Sequence, residues 1–456
     1  MFNNRLLCCA IAAITLAAGP VAAAVSSAEA AKLGTTLTPF GAEKAGNAAG
    51  TIPEWTGGIT KAPAGYAGPG SHLVDPYASD APLFTITKEN LAQYKDHLSL
   101  GQIALFDAYP STFRMPVYPS RRSGSAPQWV YDNSIKNATS AKLVDGGNGF
   151  ENAFGGIPFP IPQNGVEAIW NHIARFKGTY LKWVMSGAVI QQNGAIALSN
   201  SQQEVKFKYY EKGGSFESLN NLMFLYTSTT LAPARLVGES SLVHETLNQV
   251  TEPRKAWAYN SGQRRVRRAP TLGYDTPTGA SEGMQTTDSV DMFNGAPDRY
   301  DWKLVGKKEV YIPYNSYRLT AKGVKYEDVL KPGHINPELA RYELHRVWVI
   351  ESTLKPGARH IYSKRTFYLD EDSWQISLID QYDSRGALWR VAMAYLKNYY
   401  DVPAIWASLE VNHDLQSRRY FVTGLDSEEQ KTAEFSLPLP DDKYFEPAGL
   451  RRRGIR

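Results

Sequence analysis

The sequence predicts a mainly β protein with a few helices. Its core would be one large, strongly curved antiparallel sheet, an incomplete β-barrel with helices in or over its concavity. Three observations carry this. From Thr179 onward, about ten strand-like segments with period-two alternation follow one another without βαβ interleaving, which implies antiparallel pairing within one sheet. The 26 Tyr, 10 Trp, 37 Gly and 27 Pro suit twisted sheet joined by many turns. The segment QNGVEAIWNHIARFKG spaces Val166, Ile169, Trp170, Ile173 and Phe176 as one helical stripe, which a curved sheet can bury.

The first element is a leader. Arg5 precedes an apolar run from Leu6 to Ala18, Gly19-Pro20 breaks it, and Ala22-Ala23-Ala24 offers an A-x-A cleavage motif. This reads as a secretory signal peptide over 1–24, cleaved near Ala24. The run falls short of the ~18–20 residues that span a bilayer. Cys8 and Cys9, the two cysteines, both lie inside it, so the mature chain would form no disulfide. Together with an Ala-rich composition, these features point to a bacterial periplasm. A formal charge of +4 argues against a nucleic-acid binder.

Residues 25–160 read as an N-terminal arm with short helices wrapping the core. Ser26 caps a short helix ending at Gly34, and the Gly- and Pro-rich chain over 35–82 uses Trp55, Tyr66 and Tyr77 as anchors. Leu91, Tyr94 and Leu98 share a helical face, Gly101 interrupts it, and the helix resumes to about Tyr109, before Pro-rich chain to Pro127. Residues 161–440 read as the half-barrel with a helix over 164–177. Asn193-Gly194 between apolar runs marks a hairpin, EVKFKYYE alternates strictly, and KPGA, DEDS and DSRG are turn chemistry. Residues 441–456 read as a basic, solvated tail.

The search for chemistry is mostly negative. Eight histidines show no metal-ligand spacing, and there is neither a phosphate-binding loop nor a dinucleotide fingerprint, so no metal and no cofactor are expected. Asp288, Asp291, Asp298, Asp301, Asp370, Glu371 and Asp372 stand beside turn formers and read as solvated turn residues; a pair of them facing across a cleft would suit glycoside cleavage. In GQRRVRRAP, an extended backbone puts Arg265 and Arg267 on one face and Arg264, Val266 and Arg268 on the other. Guanidinium forks there suit solvent, the carboxylates of 288–301, or a ligand's anionic headgroup.

Five stretches together resemble a known family: TPFGAEKAGNAAGTIPEWTGG, GGIPFPIPQNGVEAIWNH, HETLNQVTEPRKAWAYNSGQRRVRRAP, MFNGAPDRYDWKLVGKKEVYIPYN and YLDEDSWQISLIDQYDSRGALWRV. This is domain-of-unknown-function family 1329, periplasmic proteins grouped by fold with the LolA/LolB-like lipoprotein carriers. The resemblance implies an incomplete antiparallel barrel whose hydrophobic concavity accepts acyl chains. It also implies a relay between an inner-membrane exporter of the resistance-nodulation-division type and the outer membrane, and it supplies no catalytic residues. The expected function is therefore a non-enzymatic carrier or chaperone for a lipid or other hydrophobic ligand, neither membrane-spanning nor bound to nucleic acid. An export-complex adaptor without its own ligand, or a carboxylate-based hydrolase or lyase, are the alternatives. The expected ligand-binding residues are Ile169, Trp170, Ile173 and Phe176 on the helix, Trp183, Phe224 and Trp257 on strands, and Arg265 and Arg267 at the mouth.

Overall fold

A computed structural model describes residues 25–269 and 274–454; the leader expected over 1–24 lies outside them. The first strands are β1 (Phe84–Ile86), β2 (Met115–Tyr118), β3 (Lys142–Val144) and β4 (Gly149–Glu151). Next come β5 (Tyr180–Ile190), β6 (Ile196–Phe207), β7 (Leu222–Ala232), β8 (Ser240–Thr246), β9 (Lys255–Asn260) and β10 (Arg265–Arg268). Then follow β11 (Tyr300–Pro313), β12 (Tyr342–Leu354), β13 (Lys364–Asp370), β14 (Ile376–Tyr382), β15 (Leu388–Tyr399), β16 (Ala404–Asp414) and β17 (Arg419–Leu425).

One antiparallel path runs β11-β12-β13-β14-β15-β16-β17-β5-β6-β7-β8-β9-β10. The later half of the chain thus precedes the earlier half in the sheet, and β17 joins them by pairing Tyr420 with Ile190. A short parallel contact of β2 with the start of β12 adds β1 and β2. Among the described residues β10 and β11 do not pair, so the curved sheet stays an incomplete barrel. Strands β13 to β16 are buried along nearly their whole length, and their polar residues such as Arg365, Asp380 and Asn398 are enclosed with the apolar ones. Strand β7 alternates through its first half instead, because one face there remains partly open.

Among the described residues six α-helices accompany the sheet: α1 (Ser27–Ala30), α2 (Leu100–Ala108), α3 (Gln128–Ser140), α4 (Gly165–Ala174), α5 (Tyr326–Val329) and α6 (Pro447–Gly454). The α2 and α4 helices lie on opposite faces. Asp380 accepts from Ser99 Oγ and the Gly101 amide at the start of α2, both at 3.0 Å. Glu410, on the other face by register, stands with Asp291 and with Arg175 at the end of α4. We call the α4 side the inner face.

Helix α4 starts where its pattern predicts, with Asn164 as N-cap, but it ends at Ala174, because Arg175 turns extended, and Phe176 lies beyond it. It is more enclosed than one apolar stripe suggests: Asn171, His172 and Glu167 are buried as well. Asn171 accepts from the Phe159 amide and donates to its carbonyl, so the preceding proline-rich segment covers the helix's polar side. Gly101 does not interrupt α2; it sits in the first turn because a Cβ there would meet Asp380 Oδ1 at 2.3 Å. The α3 helix is absent from the sequence reading. Its buried positions include Ser134 and Asn137, whose side chains satisfy backbone groups of 154–157, so no apolar period marks it. The C-terminal segment, expected as a solvated tail, is docked instead: Phe445 and Leu450 are fully buried against Leu225, Leu242 and Tyr259 on the outer face.

Candidate ligand-binding site

Pairing register arranges the inner face of β5–β10 into rows running across the strands. Phe207 and Phe224 face each other in the innermost row. The second row is Leu181, Val205, Tyr226, Val243 and Ala256. The third is Trp183, Gln203, Ser228, Ser241, Ala258 and Arg267. The outermost row holds Met185, Ser201 and Thr230, with Asn260 and Arg265 at the sheet edge. Along the six residues from Phe207 back to Ser201, about 20 Å of strand, the lining passes from aromatic and aliphatic to hydroxyl and amide, and then to guanidinium.

This surface is partly open to solvent: Leu181, Trp183, Val205 and Phe207 are buried, but the members on β7 to β10 are not. Phe224, Tyr226, Val243 and Met185 are all partly exposed, whereas Leu225 and Leu242 on the outer face of the same strands are fully buried. The result is a trough with an apolar floor and a polar mouth. Such a gradient matches an amphipathic molecule, tail inward and head outward, since apolar contact is non-directional while the head needs placed partners.

The inner end is closed by charge. Trp406 lies 6.4 Å from Phe207 and 6.1 Å from Trp183, and its Nε1 donates to Asp291 Oδ1 at 3.0 Å. Asp291 also pairs with Arg175 and, at 2.8 Å, with Lys177. Burial opposes its ionisation, but the Arg175 and then the Lys177 charges hold the Asp291 carboxyl well below the usual carboxylate range. The neighbouring Glu410 carboxyl moves the other way, raised by burial and then by the Asp291 charge. Lys177 is lowered by its own burial. One carboxylate thus answers two cations, and the carboxyl beside it favours a proton, so the inner end keeps an excess of positive charge.

The expected site residues divide. Ile169, Trp170, Ile173 and Phe176 lie in closed core: Trp170 donates to the Gly147 carbonyl at 2.9 Å and packs 5.3 Å from Phe150, and Phe176 sits between Trp129 and Tyr210. Trp183, Phe224, Arg265 and Arg267 share the inner face of the trough strands. Trp257 does not; its cross-strand partner is Arg268, and its ring lies 4.8 Å from His244 on the outer face. The sequence reading omitted Met185, Gln203, Tyr226, Ser228, Ser241, Val243, Ala256, Ala258 and Trp406. Alternation puts each residue on a face, but which faces join depends on registers that only the Asn193-Gly194 turn makes legible.

Of the acidic residues read as solvated turns, Asp301 is exposed, but others are not. Asp288 is buried against Arg365 at 2.9 Å and His360 at 3.1 Å. Glu371 and Asp372 are buried too, paired with the enclosed Arg122 and Arg346, and Asp370 is buried where it accepts from Ser373 Oγ at 2.5 Å. None of the carboxylates of 288–301 pairs with Arg265 or Arg267. His345, Asp370 and Asp372 bring three potential metal-ligand atoms within 4.8 Å of one another. Their other contacts form a charge network: His345 Nε2 with Glu343 at 3.1 Å, and Asp372 with Arg122 at 2.6 Å. A separate depression of about 700 Å³, lined by Trp129, Lys136, Phe154, Lys212 and Phe216 among others, has no comparable polarity gradient.

Among the described residues no helix is long and apolar enough to cross a membrane. An uncharacterized protein of Pseudomonas aeruginosa, PA3922, is 52% identical over 451 residues, covering 99% of each chain. Solved structures of similar chains include a putative outer membrane lipoprotein-sorting protein domain from Vibrio parahaemolyticus, 15% identical with a TM-score of 0.44, covering 63% of this chain and 98% of its own. A LolA superfamily protein from Nitrosomonas europaea is 13% identical with a TM-score of 0.37, covering 62% and 98%. A DUF1329 family protein from Desulfovibrio piger is 13% identical with a TM-score of 0.40, covering 60% and 92%. The model of the protein family of unknown function DUF1329 matches residues 85–451, and the chain belongs to that family.

Proposed function

We propose that this protein is a non-enzymatic periplasmic carrier or chaperone for a lipid or similarly amphipathic hydrophobic ligand, held in the trough of β5–β10. The observation that supports it is the row-by-row polarity gradient on a partly open inner face: Phe207 and Phe224 innermost, Tyr226 and Val243 next outward, then Ser228, Ser241 and Arg267, with Arg265 at the mouth. An extended acyl chain would lie along the strands, with its headgroup against the hydroxyls and guanidinium groups. The finer reading, drawn from the family resemblance in the sequence, is a relay. The protein would accept its ligand from an inner-membrane exporter of the resistance-nodulation-division type and pass it toward the outer membrane.

The test is native mass spectrometry of protein purified gently from its own cells, followed by extraction and identification of any bound molecule. An adduct with a long apolar portion, lost on substituting Tyr226→Asp in the trough, supports the reading. Ligand-free protein under these conditions, or an adduct indifferent to that substitution, removes it.

A further inference from the structure

The trough mouth coincides with an unusual surface at one end of the sheet. The outer ends of β6–β10 gather there: Asn200 pairs with Ala232, Thr229 with Ser240, Ser240 with Tyr259, and Asn260 with Arg265. Of the ten large aliphatic side chains exposed among the described residues, four belong to this end: Ile196 (44%), Leu198 (46%), Leu231 (43%) and Val237 (44%). The other six are dispersed along the chain. Arg235, Arg264 and Arg265 stand at the same strand ends, and Arg267 and Arg268 follow along β10; all five are exposed. None of the five makes an ion pair with a described residue, and the side chains outside the described residues include no Asp or Glu. The carboxylates at these strand ends are engaged elsewhere: Glu239 accepts from Asn260 and Glu429 from Asn200.

Aliphatic residues left in water beside unpaired arginines form a pattern that a bilayer interface satisfies. The aliphatics enter the headgroup–acyl boundary and the guanidinium groups meet lipid phosphates. From β6 to β10 the row spans about 20 Å, four strand spacings, wide enough to engage several lipids at once. Arginine on a short edge strand also deters pairing with another sheet, but that role does not call for exposed leucines beside it.

We propose that this end of the sheet docks on an anionic lipid bilayer and sets the trough mouth against the headgroups, so that the ligand passes along the strands without crossing water. This rests on the carrier reading for its purpose, but not for its measurement. Mature protein would be sedimented with vesicles of phosphatidylcholine alone and of phosphatidylcholine mixed with phosphatidylglycerol. Binding is expected to the anionic vesicles only and to weaken as salt is raised. The pair Arg235→Gln and Arg264→Gln should lower the partition coefficient roughly 30-fold, at one favourable contact per arginine. The separate pair Leu198→Ser and Leu231→Ser should lower it at least tenfold, with unchanged thermal unfolding because both side chains are exposed. Equal binding by wild type and both variants overturns the proposal, as does equal binding to neutral vesicles or binding to heparin without binding to vesicles. Ligand occupancy, read by native mass spectrometry on the same variants, separates the two ideas. Vesicle binding lost with occupancy kept supports docking as a distinct device, whereas vesicle binding intact in a protein that never holds ligand upholds docking and removes the carrier.

Discussion

Ala258 offers the most direct test of the trough. Its side chain is a single exposed methyl on the inner face, between Ser241 on β8 and Arg267 on β10. A tryptophan there has room to turn across the third row toward Ser228 and Tyr226, and it removes nothing from the core. An indole lying in the trough displaces roughly three to four methylenes of a ligand chain. At ~0.8 kcal/mol per buried methylene this amounts to about 3 kcal/mol, or roughly 100- to 200-fold in Kd. The assay is fluorescence titration with cis-parinaric acid, whose emission rises in an apolar site, alongside thermal unfolding to confirm that the fold is intact. Arg268→Ala serves as control, because Arg268 shares the outer face with Trp257 and should leave Kd within about twofold. If Ala258→Trp folds normally and binds the probe as tightly as wild type, the ligand does not lie in the trough and the row argument fails.

Two further predictions concern the framework that holds the site. Burial pushes the Asp380 carboxyl up to about 6 from 3.8, although Ser99, Gly101 and Tyr368 donate to it. Between those pH values the folded chain keeps a proton that the unfolded chain has released. Its contribution is therefore full below about pH 4 and lost as pH rises through 6, to the extent of roughly 3 kcal/mol; Asp380→Asn should flatten this part of the stability–pH curve, and an unchanged slope would place the proton elsewhere. Arg122 donates to Asp372 through Nε (2.9 Å) and Nη2 (2.6 Å) and to the Glu43 carbonyl (2.8 Å), joining the arm to the β13–β14 turn. Arg122→Met strands buried carboxylates and should cost ~3–5 kcal/mol in urea unfolding, with partial recovery when Asp372→Leu is added; a loss under 1 kcal/mol would mean that the pair is hydrated.

The sequence by itself determined what local chemistry can determine. Period-two alternation after Thr179 specified antiparallel strands, Asn193-Gly194 specified the β5–β6 hairpin with Gly194 at φ 86°, and the apolar spacing from Val166 to Phe176 specified α4. It also put Arg265 and Arg267 on one face of β10, because side-chain alternation is a property of the strand alone.

Only the tertiary structure decided which faces meet. The β17–β5 pairing, between residues more than two hundred positions apart, seats the early strands after the late ones and so brings Met185 and Thr423 together. The arm closes over α4 through Gly147, Phe150 and Phe159, which turns the expected ligand-binding residues Ile169 and Trp170 into core and leaves the partly open apolar surface at Phe224, Tyr226 and Val243. Asp288 and Asp372 have the sequence context of exposed turns, yet each is buried, because long-range packing encloses Arg365 and Arg122 and a buried guanidinium needs a carboxylate partner. Alternation gives each residue a side. The register and order of the strands decide whether that side faces solvent, core or ligand.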